Sequence, residues 1–433
     1  MTETTAASPR HISCDAVIIG GGPSGLFAAE CLARNGFSVT VFDRMASVGR
    51  KFLLAGRGGL NLTHSEVPER FISRYGWRHD VIAPLVDAFS PADLSQWATS
   101  LGEESFVGSS GRVFPKSFKA TPLLRAWLLR LKELGVRIET RQQWTGFDEA
   151  GHAMFTGQDG TLTSAKSRAV LLAMGGASWP RMGSDGRWVE TVEALRIPVA
   201  PLRPANCGIE VAWSQHMLGK GGGHPLKRIS ITAGSTPETR RTERAEAMIT
   251  SEGLEGGAVY AVLDIVREEI ARNGKAMLTL DLRPDRNLEG LTQDIERQPA
   301  SQSTANRLRK GAKLDPAALM LLNEVARPLP READKLARII KNVSLRATGI
   351  RPLERAISTA GGVFFEALND HLMVKERPGL FVAGEMLDWE APTGGYLLQA
   401  CFSSARMAAN GMAEFMATTQ ADPECVQTVM IRE

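Results

Sequence analysis

A chain of 433 residues, 43% hydrophobic and 23% charged, has the length for two or three domains and the make-up of a globular protein, which excludes a disordered or fibrous one. Its net charge of +3 gives no ground for a nucleic-acid or membrane-surface partner, and no apolar run reaches membrane-spanning length. Cys14, Cys31, Cys207, Cys401 and Cys425 are scattered and form no CxxC pair, so no metal site is expected. With an amino-terminal stretch unlike a signal peptide, they suit a reducing, cytoplasmic setting.

The first fifty residues read in three clauses. Ala16 to Ile19 is a short apolar run suited to a buried parallel strand. Gly20, Gly22 and Gly25, with Pro23 and Ser24 between them, then match G-x-G-x-x-G and open a helix that runs to Arg34. Phe37 to Asp43 is a second strand with an acidic end. Gly20 permits the tight turn, Gly22 lets a pyrophosphate approach the backbone, and Gly25 lets helix and sheet close up. The helix start offers unpaired N–H groups and a positive dipole to phosphate. Asp43 lies eighteen residues past Gly25 and can accept bonds from the adenosine ribose hydroxyls, with Arg44 beside it. The expected ligand is therefore a dinucleotide, and Asp43 disfavours one carrying a 2′-phosphate.

The fingerprint does not choose between FAD and NAD; the next segment favours FAD. "GRKFLLAGRGGLNLTH", Gly49 to His64, carries Arg50, Lys51 and Arg57 among Gly49, Gly58 and Gly59. Such a stretch can run along an extended cofactor, with Arg50 and Lys51 near its phosphates and Gly58, Gly59, Leu60 and Asn61 against a flavin ring. Trp144 is placed in the same binding set. Further on, "AVLLAMGG" is an apolar strand breaking at Ala173, Met174, Gly175 and Gly176. Near the carboxyl end, "LFVAGE" stops at Gly384 and Glu385, Asp388 follows, and Gly394 and Gly395 open a long helix at Tyr396 and Leu397. That arrangement puts Asp388 on the ribityl and diphosphate side. It aims the helix start at the flavin, where its dipole would favour the anionic reduced ring. Gln399 is either within reach of the ring or a solvated helix residue.

The pieces "VIIGGGPSGLFAA", "GRKFLLAGRGGLNLTH", "MGGASWPRMGSDG", "SEGLEGGAVY", "TAGGVFFE" and "GLFVAGEMLDWEAPTGGYLLQ" occur in this order over nearly the whole chain. In them the sequence resembles the BaiN/YhiN-type bacterial flavoproteins, relatives of the glutathione-reductase-type FAD fold. The resemblance implies an FAD-dependent oxidoreductase; some members reduce unsaturated steroid-like compounds and others oxidise small amines such as aminoacetone. Where many members read "GRCNxTN", this chain reads "GGLNLTH". A cysteine is absent and His64 stands where an asparagine is usual, which points to a separate subgroup with its own substrate.

The fold class expected is α/β: a Rossmann-type FAD-binding domain split by an inserted β-rich domain that carries a helical cap. Residues 1–196 form the first part of the FAD domain and 361–433 its last part. Residues 197–290 are β-rich, 291–342 a helical insert, and 343–360 the β-rich return. No second G-x-G-x-x-G occurs, so NAD(P)H, if it is the reductant, binds transiently over the ring rather than in a domain of its own.

A flavin carries hydride chemistry itself and the protein positions it. Arg57, Asn61, His64 and Tyr396 are the candidates for acid, base or substrate contact. Trp179 and Trp389 are alternatively cleft walls or core. Arg351 and Arg355 are alternatively anion ligands or surface ion pairs. The expected function is hydride transfer between a non-covalent flavin and a small-molecule substrate. An amine oxidase using O2 and a non-catalytic FAD-bound sensor remain as alternatives, and the oligomeric state stays open.

Overall fold

The computed structural model describes residues 9–54 and 59–421, which fall into two compact units, one of residues up to 203 with 358 onward, the other Pro204–Ile357.

The first unit is built on a five-stranded parallel sheet in the order Leu380–Val382, Ala169–Leu172, Ala16–Ile19, Val39–Asp43, Arg137–Thr140. Its strands are near-continuous apolar runs because helices or a second sheet cover both faces. Strand order reverses about Ala16–Ile19, whose neighbours lead to opposite sides, and an open sheet of this kind binds its ligand beyond the carboxyl ends at that point. Helix Pro23–Arg34 packs along the long helix Tyr396–Ala421. A four-stranded sheet, Arg10–Ser13, Leu162–Lys166, Ala153–Gly157 and Gln142–Phe147, lies against the parallel one through Phe42 and Phe155, whose rings stack 3.9 Å apart. A small sheet joins Thr63–His64, Arg112–Pro115 and Ser105–Val107.

The second unit is a closed barrel of six antiparallel strands, Ile209–Val211, Gly253–Glu255, Arg241–Ile249, His224–Ala233, Ala276–Asp281 and Val343–Ile350. The runs "ISITA" and "AEAMI" lie within one hairpin, with Ile229 opposite Ala245. Four helices between Leu288 and Lys341 separate the last two strands in sequence, yet those strands pair directly, Leu278 opposite Leu345. Asn287, Ser303 and Asp315 each accept a backbone N–H at the start of a helix, which stops the preceding chain from continuing as strand.

The units divide at 203/204 and 357/358, where the sequence reading puts the crossings at 196/197 and 360/361. The difference arises because Val199–Ala205 pairs with the returning strand Ser358–Val363, so most of this proline-marked stretch belongs with the first unit. Among the described residues no helix is long and apolar enough to cross a membrane.

Candidate cofactor site

Beyond the carboxyl ends of the parallel sheet lies a cleft of about 1040 Å³, open mouth included. Gly20, Gly22, Pro23, Ser24, Asp43, Arg44, Gly49, Arg50, Lys51, Trp144, Ala173, Met174, Gly175 and Glu385 all line it. Segments far apart in sequence therefore meet on one surface.

The glycines show why. Gly20 has φ +112°, and a Cβ there would lie 2.3 Å from the Ala173 carbonyl oxygen, so the first turn and the 173–176 break touch through bare backbone. A Cβ on Gly25 would lie 1.9 Å from the Gly20 oxygen, and one on Gly384 2.3 Å from Ser24 Oγ. Gly25, Gly176 and Gly384 thus back the cleft without lining it. Gly22 is different: a Cβ there meets nothing within 4 Å. It caps helix Pro23–Arg34 without any side-chain bond, so the first-turn N–H groups have no side-chain cap.

The charged groups divide by whether they are satisfied. Asp43 Oδ2 accepts the Gly21 N–H at 2.8 Å and Oδ1 the Met45 N–H at 2.7 Å. Burial raises this carboxyl above its ordinary value against those bonds, while each oxygen keeps a lone pair for a hydroxyl. Arg44 is held by the Gly183 carbonyl at 3.2 Å and Asp185 at 3.1 Å. Lys51 bridges Glu385 at 2.6 Å and Ser178 at 2.8 Å, and Glu385 in turn accepts the Thr359 N–H at 3.0 Å. Arg50 is the exception. Its buried Nε has no partner, and Nη2 only approaches the Met182 sulfur at 3.9 Å. Among the described residues Arg50 is half-buried and in no ion pair short enough to be a salt bridge, with only the field of Asp43 acting on it, so its guanidinium can take an anion. Together with the uncapped helix start and the space over Gly22, this fits the diphosphate of a dinucleotide.

Gly59, Leu60, Asn61, Gly394, Gly395, Tyr396 and Leu397, also expected at the cofactor, do not line this cleft. Gly59 and Leu60 are held against Phe118, Leu60 through a 3.0 Å bond from its N–H to the Phe118 carbonyl. Asn61 turns a buried Oδ1 to no partner. A Cβ on Gly395, at φ +99°, would lie 2.5 Å from the Thr63 backbone, so the Gly394–Gly395 turn is pressed onto that strand. Tyr396 and His64 stack with centroids 5.3 Å apart, and Leu397 packs partly buried on the core. Arg57 and Gly58 lie outside the described residues.

Three expectations change. Asp388 is not at the cleft: it is buried and bonded to Arg78 at 2.7 Å, with Trp389 turned back so that its Nε1 donates to the Gly384 carbonyl. Gln399 is fully buried and donates to the Phe89 carbonyl at 2.7 Å, so it neither reaches a ring nor meets solvent. Tyr396 does not offer a free hydroxyl, because Glu66 accepts it at 2.6 Å. Of the two alternatives for Arg351, the structure shows the ion pair: it lies in the second unit and pairs with Glu252. The cleft also uses residues that sequence reasoning passed over. The Met182–Asp185 turn lines it beside Arg50, although its glycine was legible. Cys401 reaches the cleft five residues into the long helix, and burial pushes its thiol up to about 12. Among the described residues no cluster of three or more metal-ligating side chains occurs.

A family model described as HI0933-like protein Rossmann domain matches residues 14–411. Among curated proteins, 3-dehydro-bile acid delta(4,6)-reductase of Clostridium scindens is 25% identical over 92% of this chain and 98% of its own. Ribosomal RNA dihydrouridine synthase of Haemophilus influenzae is 26% identical over 90% and 96%. Among solved structures, the open conformation of a flavocytochrome c3 fumarate reductase superposes with a TM-score of 0.53 at 16% identity, over 95% of this chain and 79% of that one. The 3-ketosteroid delta1-dehydrogenase of Sterolibacterium denitrificans superposes at 0.50 with 13% identity, over 93% and 99%. These superpositions speak for the fold alone.

Proposed function

The chain belongs to the HI0933-like family of Rossmann-domain FAD-dependent oxidoreductases, and from that premise we propose that it saturates a carbon–carbon double bond conjugated to a carbonyl group in a small organic substrate. The observation that carries the cofactor half is Arg50, whose buried Nε has no hydrogen-bond partner, lining the same cleft as the open Gly22 and the uncapped helix start. Gly20 to Ser24 and Arg50 would hold the diphosphate, Asp43 the adenosine ribose, and Lys51 with Glu385 the chain leading to the ring. When bound, FAD supplies two-electron hydride chemistry. The residues around it orient the cofactor and keep water from its phosphates.

No covalent anchor is proposed. Both His64 ring nitrogens are engaged, and the Cys401 thiol is held protonated by burial. The substrate half is supported by what the names of the curated relatives share. A Δ4,6 bile acid bearing a 3-keto group and the uracil ring of uridine each present an alkene conjugated to a carbonyl, and each is reduced there. In such a step a hydride adds to the β-carbon and a proton to the α-carbon, with NAD(P)H as the transient reductant. Of the two, the low net charge favours the free small molecule over RNA.

The test is anaerobic stopped flow. NADH or NADPH should bleach the 450 nm flavin band, and a 4-en-3-one steroid acid or a simpler cyclic enone should restore it. A flavin bleached by small amines, restored by O2 and indifferent to enones would overturn this reading in favour of an amine oxidase. Restoration by RNA uridine alone would overturn the small-molecule assignment.

A further inference from the structure

At the start of the helix Tyr396–Ala421 lies a knot of side chains that the cofactor cleft does not use. The Tyr396 hydroxyl donates to Glu66 Oε2 at 2.6 Å, its ring stacks on His64 with 17° between planes, and its carbonyl accepts the Tyr75 hydroxyl at 2.8 Å. Glu66 is clamped by Arg74 at 2.6 Å and Arg70 at 3.1 Å. His64 is spent as well. Nδ1 accepts the Glu66 N–H at 3.1 Å and Nε2 donates to the Ser110 carbonyl at 3.0 Å. Directly before Tyr396, the Gly394–Gly395 turn rests on Thr63 with no room for a side chain.

Resting on the flavin reading above, we propose that Tyr396 and Glu66 are positioning residues, which pin the Gly394–Gly395 turn and the start of the long helix at the place it holds toward the cofactor. The helix start carries about half a positive charge, an effect confined to its first turn. Cys401, which lines the cleft, lies five residues further on, about 7.5 Å along the axis at 1.5 Å per residue. Small displacements of this helix start are therefore carried along the same helix to the cleft at Cys401. Proton exchange is a poor alternative role. Burial and the bond to Glu66 raise the Tyr396 phenol further above its ordinary value, and both His64 ring nitrogens are already engaged.

The experiment compares full-length wild type with Tyr396→Phe, Glu66→Gln and Glu66→Ala. Tyr396→Phe and Glu66→Ala are expected to bind FAD about tenfold more weakly, the scale of a lost charge-assisted hydrogen bond. Both should shift the flavin midpoint potential to more negative values while the pH profile of kcat keeps both limbs. Glu66→Gln keeps an acceptor for the phenol and should recover most of the affinity. Loss of one limb in Tyr396→Phe would make the phenol an acid or base and overturn the proposal. Unchanged affinity and potential in both variants would overturn it too, by reducing the knot to packing. Should Tyr396→Phe not fold, the two Glu66 variants carry the same comparison. A wild type that takes up no FAD sinks the cofactor reading instead, which keeps the two failures apart.

Discussion

Two glycines three residues apart make opposite demands on a methyl group. At Gly25 an added Cβ would strike the Gly20 carbonyl at 1.9 Å, whereas at Gly22 it would meet nothing within 4 Å. Gly25→Ala should therefore destabilise the apoprotein by about 1–3 kcal/mol, the usual scale of forced overpacking. Gly22→Ala should melt like wild type without cofactor yet take up FAD poorly. Thermal unfolding of the apoproteins, read beside FAD titration, separates the two. Glu66 gives a pH prediction. Burial alone would raise its carboxyl, but the bonds from Arg74 and Tyr396 outweigh it and hold the group at about 2, below the ordinary 4.5. A folded-state value below the unfolded one stabilises above the unfolded value and is lost on acidification, so this contribution fades between about pH 4.5 and pH 2. His64, lowered from 6.5 by burial, resists charging in the fold and begins to cost stability as pH drops below that value. Urea midpoints across this range should fall more steeply for wild type than for Glu66→Gln. Residues whose place is set by backbone shape were readable in advance: Gly20, Gly22 and Asp43 all line the cleft. Asp388 and Tyr396 were not, because the groups that claim them, Arg78 and Glu66, lie 310 and 330 positions away in the chain.

Elements were legible where their periodicity is local. The strands Ala16–Ile19 and Val39–Asp43 and the helix between them follow from apolar runs and a glycine turn. The stretch Gly49 to His64 reads as loop, yet it ends in a short strand, because Thr63 pairs with Val113 fifty residues on. The long carboxyl-terminal helix owes its place to an aromatic cluster that no window on the sequence reveals. Phe402 is fully buried, with ring centroids 4.8 Å from Phe27 and Trp97 and 5.5 Å from Trp127. Phe402→Ala should cost about 3–5 kcal/mol through lost burial and the cavity left behind. Because the same helix carries Tyr396 and Cys401, FAD should dissociate faster from this variant, a rate measurable by flavin fluorescence.

The two units have separate apolar cores, one around Ile18, Phe27 and Phe402, the other around Ile231, Leu280 and Leu345. Calorimetry should resolve two transitions. FAD at a hundred times its dissociation constant should stabilise only the first unit, by about 2.7 kcal/mol; a ligand-induced shift of both transitions together would contradict that independence. The sequence marks an insertion by its prolines and the short strand-like runs after them but not its ends, since Val199–Ala205 finds its partner only when the chain returns at Ser358. That return has a further consequence. Within the second unit the Ile357 N–H donates to the Asn206 carbonyl at 3.1 Å, so the segment begins and finishes at nearly the same spot. A segment with joined ends behaves as a cassette: it can be excised, circularly permuted or exchanged with that of a relative at little cost in loop entropy. Recombination could then refashion the second unit while leaving the glycine-lined cleft of the first untouched.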